Sequence, residues 1–266
     1  MVFALTTSAT AQVAVNRNAR SIFAADPGDA RSIWVNPGAL GLLGTISVYA
    51  DLTVGLEPPY ETGSPVSQIS LGFNSFFFAL SYQFDRLPDP FGGGGTVRGH
   101  AVRAALWGRY QRLGAGGTTT WYSGGDGGVG FDVGAVYRAG AVLDLGAVVA
   151  NLGEPSVRGT DLRVRFRPAF TVHTPNEALA LQAQSDLGTD RVRGFAVGTR
   201  IRLAGVQWTV RLDTDGALRR ESVVFGLSIG GESRVGALAS GNGDFSIADA
   251  VSLHLSSERS AQTRRR

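Results

Sequence analysis

Apolar and polar residues alternate strictly from Ile46 to Leu56. Isoleucine, valine, alanine and leucine take every second position, and serine, tyrosine, aspartate, threonine and glycine lie between them. Because successive side chains of a β-strand point to opposite faces, this segment is predicted to be a strand with one apolar and one polar face. The pattern recurs along the chain, with turn residues between its occurrences and no amphipathic helix of any length. The sequence therefore predicts an all-β fold.

The strands can be placed approximately from the alternation and the turn residues. Thirteen segments are predicted: 45–56, 66–73, 76–85, 98–110, 128–138, 141–151, 165–173, 177–186, 192–203, 206–213, 221–230, 232–240 and 247–256. Bacterial single-chain barrels have even strand numbers. Either Thr118–Tyr122 contributes a fourteenth strand, or one predicted strand has been split in two. We expect about 14 strands, within a range of 12–14.

The connections predict which kind of all-β protein this is. Tight turns are predicted at Asn74-Ser75, Ala139-Gly140 and Ala204-Gly205, whereas Leu87–Val97 and Leu113–Gly127 read as long glycine-rich loops. Short turns on one rim and long loops on the other are typical of outer-membrane barrels, and so are strands of about 9–11 residues. We therefore predict a transmembrane antiparallel β-barrel in the outer membrane of a Gram-negative bacterium.

A soluble β-sandwich or propeller is the alternative, because its strands also alternate. The outer face of a soluble protein of this kind is usually rich in charge. Here the polar positions hold mostly glycine, serine, threonine, asparagine and glutamine, and only 18% of all residues are charged. The composition therefore favours the barrel, whose other face contacts lipid.

The first 44 residues do not alternate. Residues 1–12 resemble the end of a signal peptide, since Ala9-x-Ala11 follows a short apolar stretch. Residues 13–44 contain the turn sequences Asp26-Pro27-Gly28 and Asn36-Pro37-Gly38 and are long enough to fill a barrel mouth. The predicted organisation is a signal-peptide remnant (1–12), a plug (13–44), a barrel (45–256) and a charged tail (257–266).

Some N-terminal motifs resemble the FadL-like and PorV-like outer-membrane barrels. They are Asn18-Ala19-Arg20, then Asp26, then Asn36-Pro37-Gly38-Ala39-Leu40, and later the strand end Val149–Gly153. The resemblance implies a 14-stranded barrel with an N-terminal hatch in the lumen, to which Asn36, Pro37 and Gly38 would belong. It also implies either passive movement of hydrophobic small molecules or partnership with secretion machinery.

The polar face of the predicted strands carries many charged residues. Alternation points eight arginines inward: Arg103, Arg109, Arg138, Arg165, Arg167, Arg200, Arg202 and Arg211. It also points six aspartates inward: Asp51, Asp85, Asp132, Asp144, Asp186 and Asp213. One interpretation is a set of salt bridges that makes the barrel rigid. The other is an arginine-lined path for a carboxylate head group, because guanidinium groups bind carboxylates bidentately. The ligand-binding candidates are Arg103, Arg109, Arg138, Arg200, Arg202 and Arg211.

No catalytic or metal site is predicted. Gly226-Leu227-Ser228-Ile229-Gly230 matches the nucleophile elbow of hydrolases, and His254 follows it, but the elbow requires a strand, a sharp turn and a helix. Here the alternation continues through Ser228 into another strand. The chain has no cysteine, and its histidines are not at metal-ligand spacing. We therefore expect no enzyme activity and no cofactor.

The predicted function is passive transport of a hydrophobic or amphipathic small molecule, with outer-membrane lipid around the barrel. An acidic head group on that molecule would suit the arginines. The alternative is an interaction barrel that docks a periplasmic or secreted protein. A nucleic-acid partner is not expected, because the net charge of +3 comes without a basic face with interleaved aromatic residues. A hydrophobic pocket beside the plug would favour transport, whereas arginine–aspartate pairs filling the lumen would favour the scaffold.

Overall fold

The computed structural model of the chain describes residues 16–43, 45–56, 64–88, 96–124, 127–157, 159–242 and 248–260. The predicted signal-peptide remnant and residues 261–266 of the predicted tail lie outside this part of the chain. No helix among the described residues is long and apolar enough to cross a membrane.

Fourteen strands form a closed antiparallel barrel, as predicted. The strands in chain order are β1 Thr45–Gly55, β2 Val66–Asn74, β3 Phe78–Pro88, β4 Thr96–Tyr110, β5 Leu113–Ser123, β6 Gly128–Arg138, β7 Leu143–Leu152, β8 Ser156–Val157, β9 Thr160–Asp161, β10 Arg165–His173, β11 Leu179–Gly188, β12 Val192–Leu203, β13 Val206–Asp215, β14 Arg220–Gly230, β15 Ser233–Asn242 and β16 Ala248–Ser260. The short strands β8 and β9 pair only with each other, in the connection between β7 and β10. Pairing of β1 with β16 closes the barrel.

In strand β1 the alternation of the sequence separates a lumen-facing side from an outer side. Its apolar residues Ile46, Val48 and Leu52 lie on the exposed outer face. Its polar residues lie buried on the lumen side: Ser47, Tyr49, Asp51 and Thr53. The same arrangement recurs around the barrel, so the outer surface is an apolar belt that suits lipid and the lumen is polar.

The predicted loop at 113–127 is wrong over most of its length, because residues 113–123 form strand β5. Its outward positions include Leu113 and Trp121, both exposed. Its inward positions include glycine and threonine rather than strongly polar residues, so the contrast between its two faces is weak. For this reason the alternation indicated a strand only at Thr118–Tyr122. β5 pairs with β4 and β6 along its length and brings the strand number to fourteen.

The predicted barrel boundary at residue 256 is also wrong. Strand β16 continues to Ser260, so the first residues of the predicted charged tail belong to the barrel. The cause lies in the closure, because Thr45 at the start of β1 pairs with Ser260. A partner strand that ended at residue 256 would leave the first residues of β1 without a neighbour.

The two rims of the barrel differ in their connections. Compact turns join β2 to β3, β4 to β5, β6 to β7, β10 to β11, β12 to β13 and β14 to β15, and the start of β1 and the end of β16 lie at the same end. We call this end the short-turn rim. The strand ends joined by the longest connections, 56–65, 89–95 and 153–164, lie at the other rim.

The segment before β1 lies inside the barrel. We call residues 16–43 the plug. It contains two 3-10 turns, Asn18–Ser21 and Ala30–Trp34, followed by one helix, α1 (Pro37–Leu43). Helix α1 packs against β4, β5 and β6, and the second 3-10 turn contacts β1 to β4. All residues of α1 except Leu43 are buried, which shows that the lumen encloses the helix.

An arginine on the outer face should destabilise the barrel according to its depth in the bilayer. Val197, 50% exposed, lies near the middle of β12, and Leu203, 61% exposed, ends the same strand on the same face. Val197→Arg is expected to cost about 2–4 kcal/mol of unfolding free energy, and Leu203→Arg about 0–1 kcal/mol. The measurement is urea unfolding in lipid vesicles, with the folded fraction read from the faster migration of unboiled protein in electrophoresis. Equal costs at the two positions would contradict a lipid-facing belt.

Candidate functional site

Helix α1 approaches the barrel wall so closely that its backbone touches the strands. A Cβ atom added to Gly134 would lie 2.1 Å from Asn36 Oδ1, and one added to Gly114 would lie 2.3 Å from the Gly38 carbonyl oxygen. A Cβ atom on Gly38 itself would lie 2.5 Å from the Gly134 carbonyl oxygen. Glycine on both sides is therefore needed for this contact, because any other residue would push the helix away. Glycine in β5, which weakens the alternation of that strand, is thus part of this close contact. We call the contact of Gly114 and Gly134 with the start of α1 the plug seat.

Asn36 links the plug to the barrel wall, and it also links two parts of the plug to each other. Its Nδ2 donates hydrogen bonds to the carbonyl oxygens of Ala24 (2.6 Å) and Ala135 (3.0 Å), and its Oδ1 accepts one from the Gly38 backbone N–H (2.9 Å). The side chain is completely buried, so these bonds satisfy groups that have no exposure to solvent. Asn36, Pro37 and Gly38 all lie in the plug, at the start of α1.

Ion pairs hold the other side of the plug. Arg200 of β12 forms an ion pair with Asp26, whose Oδ2 also accepts a hydrogen bond from Gln182 Nε2 (3.0 Å). Burial alone would raise the pKa of Asp26, but the charge and hydrogen bond of Arg200 outweigh it and hold the pKa below its usual 3.8. Arg31 in turn pairs with Asp29 in the plug and lies 3.7 Å from Asp51 of β1. Each of the buried plug carboxylates Asp26 and Asp29 is thus paired with an arginine.

Arg103 joins two strands to the plug. Its Nη1 donates to the Ile33 carbonyl oxygen (2.9 Å), its Nε to Thr120 (2.7 Å), and its Nη2 pairs with Asp132 (2.8 Å). The other carboxylate oxygen of Asp132 accepts a hydrogen bond from the Asn151 backbone N–H (2.8 Å), where the pairing of β6 with β7 is interrupted. Arg103 is therefore a structural contact of the plug.

Arg211 holds the plug next to its first 3-10 turn. Its Nη1 donates to the Ile22 carbonyl oxygen (3.1 Å), and its guanidinium lies 4.5 Å from the centre of the Phe23 ring. Its Nε binds Asp213 (2.8 Å) on the same strand. The Phe23 ring is fully buried and packs where Gly198 leaves room for it.

The structure separates the six candidate arginines into three groups. Arg103, Arg200 and Arg211 bind the plug. Arg138 and Arg202 line a cavity beside the plug. Arg109 is exposed at the short-turn rim, where its Nε donates to the Gln111 carbonyl oxygen (2.9 Å), so it is not assembled with the others. Alternation predicted the face of each arginine but not its depth along the barrel. A ligand-binding role for these arginines stays a prediction.

A polar cavity of about 100 Å³ lies between the plug and the wall near the short-turn rim. We call it the rim cavity. Its plug side includes Asp26–Asp29, and its wall side includes the following six residues: Arg138, Arg200, Arg202, Ser228, Arg234 and His254. Its volume holds several water molecules. Arg234 was not recognised in the sequence, although alternation in β15 places it on the same face as Gly236 and Leu238.

The rim cavity beside the plug is lined mainly by polar and charged residues. An apolar recess of about 270 Å³ does occur in the wall at β13 to β16, lined mainly by the outward-facing residues Trp208, Val210, Phe225, Ala237, Ala239 and Val251. Ion pairs such as Arg103–Asp132 (2.8 Å) and Arg165–Asp186 (3.1 Å) link lumen-facing side chains of different strands. The sequence allowed two interpretations of the inward charges, salt bridges or an arginine-lined path, and the structure contains the salt bridges.

Ser228 is a lumen-facing residue of a continuous strand. It lies within β14, pairs with Gln207 of β13 and Gly236 of β15, and is followed by a turn into β15 rather than by a helix. The nucleophile-elbow geometry is thus absent at this serine. No group of three or more histidine, aspartate or glutamate side chains within the described part of the chain is arranged to hold a metal ion.

The apolar outer belt, the polar lumen and the seated N-terminal segment together define a plugged transmembrane β-barrel. No protein-family model and no curated protein matches the sequence. Among solved structures, the chain is similar in fold to the CymD monoaromatic hydrocarbon channel, with 11% identity, a TM-score of 0.56, and coverage of 89% of this chain and 93% of that one. It is also similar to the deltaS2 mutant of the TodX monoaromatic hydrocarbon channel, with 10% identity, a TM-score of 0.53, and coverage of 90% and 97%. In fold, the chain resembles the FadL-like barrels, as its N-terminal motifs predicted.

A methyl group at the plug seat should loosen the plug. Gly134→Ala places a Cβ against Asn36, whereas Gly108→Ala on β4 meets no atom within 4 Å. We expect Gly134→Ala to lower the free energy of unfolding by about 1–3 kcal/mol through overpacking, and Gly108→Ala to change it little. Urea unfolding in vesicles measures both variants, and limited proteolysis of the plug shows whether it has left its seat. An unchanged Gly134→Ala variant would show that α1 does not need this close contact.

Proposed function

We propose that the protein is a bacterial outer-membrane channel through which hydrophobic or amphipathic small molecules cross passively. The observation that carries the proposal is a closed 14-stranded barrel whose plug leaves a polar cavity of about 100 Å³ between itself and the wall. The similar CymD and TodX folds are those of monoaromatic hydrocarbon channels, which supports a cargo with a hydrophobic part.

The orientation follows from the rims. In outer-membrane barrels the short turns face the periplasm and the longer loops face outward. The rim cavity would then be the periplasmic end of the path, since its lining residues lie near the short turns. Arg138 and Arg202 at its mouth have partly exposed side chains, 38% and 35%, and are the predicted ligand residues best placed to meet an acidic head group.

The plug must shift for transport, because the cavity is far smaller than the pockets of about 300–1,000 Å³ that enclose a small-molecule ligand. Its two attachments differ in what a shift would cost. Moving α1 would break a dry backbone contact over glycines, whereas moving Asp26–Asp29 would exchange ion pairs beside a hydrated cavity. The path therefore opens on the side of β12 to β16.

A second candidate is a scaffold barrel that docks a periplasmic or secreted protein through its rims. The observation that favours it is the set of buried ion pairs in the lumen, among them Arg103–Asp132 within the wall and Arg200–Asp26 between wall and plug. In such a barrel the plug would stay in place. Uptake measurements separate the two candidates, since a scaffold with a fixed plug passes no cargo.

Uptake of N-phenyl-1-naphthylamine by Gram-negative host cells tests the channel, because an intact outer membrane excludes this hydrophobic dye. Cells that make the protein are expected to take up the dye faster than cells with an empty vector. Ser228→Trp fills the rim cavity and is expected to reduce uptake severalfold, whereas Phe225→Trp alters only an exposed outer position of the same strand.

The folded amount of each variant is matched by electrophoretic heat-modifiability before uptake is compared. A small hydrophilic dye serves to exclude general leakage of the outer membrane. Uptake equal to that of the empty host would reject the channel and favour the scaffold. Equal uptake by Ser228→Trp and the unmodified protein would show that the path does not run through the rim cavity.

A further inference from the structure

Two arginines lie directly opposite each other on the outer face of the barrel. Arg86 of β3 is the register partner of Arg98 of β4, and we call these two residues the arginine pair. The adjacent register partners, Asp85 and Gly99, are buried on the lumen side, so the arginines point outward by alternation. Like charges directly opposite each other in a sheet are destabilising. An anion that binds between the two arginines would remove this repulsion.

The arginine pair lies near the rim with the longest connections, which we call the long-loop rim. Strand β3 begins with Phe78 near the short-turn rim, and from there to Arg86 it covers about 27 Å. At the usual strand tilt this is about 20 Å of height, most of the roughly 25 Å of an apolar belt. Outward positions below the pair include Leu80 and Val102, both exposed. The pair therefore lies at the edge of the hydrocarbon layer, at the level of lipid headgroups.

An aromatic layer separates the arginine pair from the aliphatic residues below. His100 lies on the same face of β4 as Arg98, and its ring centre is 5.4 Å from that of Phe84 and 5.9 Å from that of Tyr82. Its Nδ1 is 2.7 Å from the Tyr82 hydroxyl oxygen. When that hydroxyl donates the hydrogen bond, His100 Nε2 carries the ring proton and can donate to an anion. Aromatic side chains at this level are typical of the girdle where a barrel meets the headgroups.

Arg98 differs from three other arginines of the long-loop rim in its charge environment. Arg163, Arg193 and Arg219 each lie within 3.3 Å of a carboxylate oxygen. The side chain of Arg98 is exposed and forms no ion pair within the described part of the chain. Arg98 is therefore available to an anion that comes from outside the chain.

Arg86 is held in a fixed position beside Arg98. Its Nε and Nη2 donate hydrogen bonds to Thr96 Oγ1 (3.3 Å and 3.0 Å), and its Nη1 donates to the Ser64 carbonyl oxygen (2.7 Å). The Cα atoms of opposite residues in an antiparallel pair are about 5 Å apart, so both guanidinium groups can reach one ligand. Guanidinium groups bind phosphate bidentately. Two of them side by side, with a ring N–H next to them, suit a phosphate group.

We propose that Arg86, Arg98 and His100 bind the phosphate group of an outer-leaflet lipid whose acyl chains lie on the apolar belt below. Because the longer loops of outer-membrane barrels face outward, the long-loop rim lies at the outer leaflet. The phosphate neutralises the arginine pair, and the acyl chains lie along Leu80 and Val102. A free phosphate ion has only the first of these contacts. The site is on the outside of the barrel, so it goes beyond the proposed transport and is separate from the rim cavity.

Lipid binding to the full chain in a non-ionic detergent, measured by native mass spectrometry, tests the site. The probe is lipid A, added either with its phosphate groups or after their removal, and the phosphorylated form is expected to bind more tightly. Arg98→Gln is expected to weaken binding of the phosphorylated form about tenfold, because it removes a charge-assisted contact, and to leave the other form unaffected. Arg219→Gln is the matched control, since Arg219 is an exposed arginine at the same rim that already pairs with Asp215.

The folded state of each variant is checked by electrophoretic heat-modifiability before binding is compared. Equal binding of phosphorylated lipid A by Arg98→Gln and the unmodified protein would overturn the proposal. An equal loss in Arg219→Gln would also overturn it, because the lipid would then respond only to the general charge of the rim. Displacement of the lipid by inorganic phosphate at comparable concentration would show a site for the free ion instead. Arg98→Lys keeps the charge without the bidentate geometry and is expected to recover part of the binding.

Thermal unfolding in the same detergent gives an independent measurement. A ligand that binds only the folded state stabilises it, so phosphorylated lipid A is expected to raise the melting temperature of the unmodified protein. The rise should be smaller for Arg98→Gln and undiminished for Arg219→Gln. An equal rise in all three proteins would contradict the phosphate contact. Neither measurement depends on transport, so the lipid site and the channel can fail independently of each other.

Discussion

The pairing of β1 with β16 is the constraint on which the rest of this structure depends. In a bilayer no water is available for unpaired backbone groups, so a sheet can cross only when its two edge strands bond to each other. Because β1 pairs with β16, the start of β1 and the end of β16 lie at the same rim, and β16 extends to Ser260. It also requires the chain before Thr45 to start at that rim, which is where the plug enters the lumen.

The plug is held by two kinds of interaction with different physical character. On β4 to β6 the backbones of helix and strand meet over glycines, an arrangement that excludes water and tolerates no added atom. On β12 and β13 the contacts are guanidinium groups on a carboxylate, a carbonyl oxygen and an aromatic ring. The plug is therefore held by close backbone packing on one side of the lumen, and by ion pairs and hydrogen bonds beside a polar cavity on the other.

The sequence predicted the barrel because alternation is a property of each strand by itself. The inward position of Asp51 and Arg103 follows from counting residues, and the structure agrees. β5 was predicted only as one alternative and only over Thr118–Tyr122, because its inward glycines contact α1, which lies far away in the chain. Arg109 lies at the short-turn rim, away from the other five candidate arginines, because alternation gives a face and not a depth.

The rim cavity could not be predicted from any one segment. Its wall combines residues from β6 to β16, and its plug side comes from residues before the barrel begins. The alternation of β15 would have pointed Arg234 inward, but only the closed barrel brings it to Arg202. Distances between strands that are not neighbours in the chain depend on the register of every pair between them, and local patterns do not contain that information.

Helix α1 ends at Leu43 and strand β1 begins at Thr45, so one residue separates the plug from the seam of the barrel. Because consecutive Cα atoms are only about 3.8 Å apart, the end of α1 cannot move far from the start of β1. Any displacement of the plug therefore has to pivot about this junction at the short-turn rim.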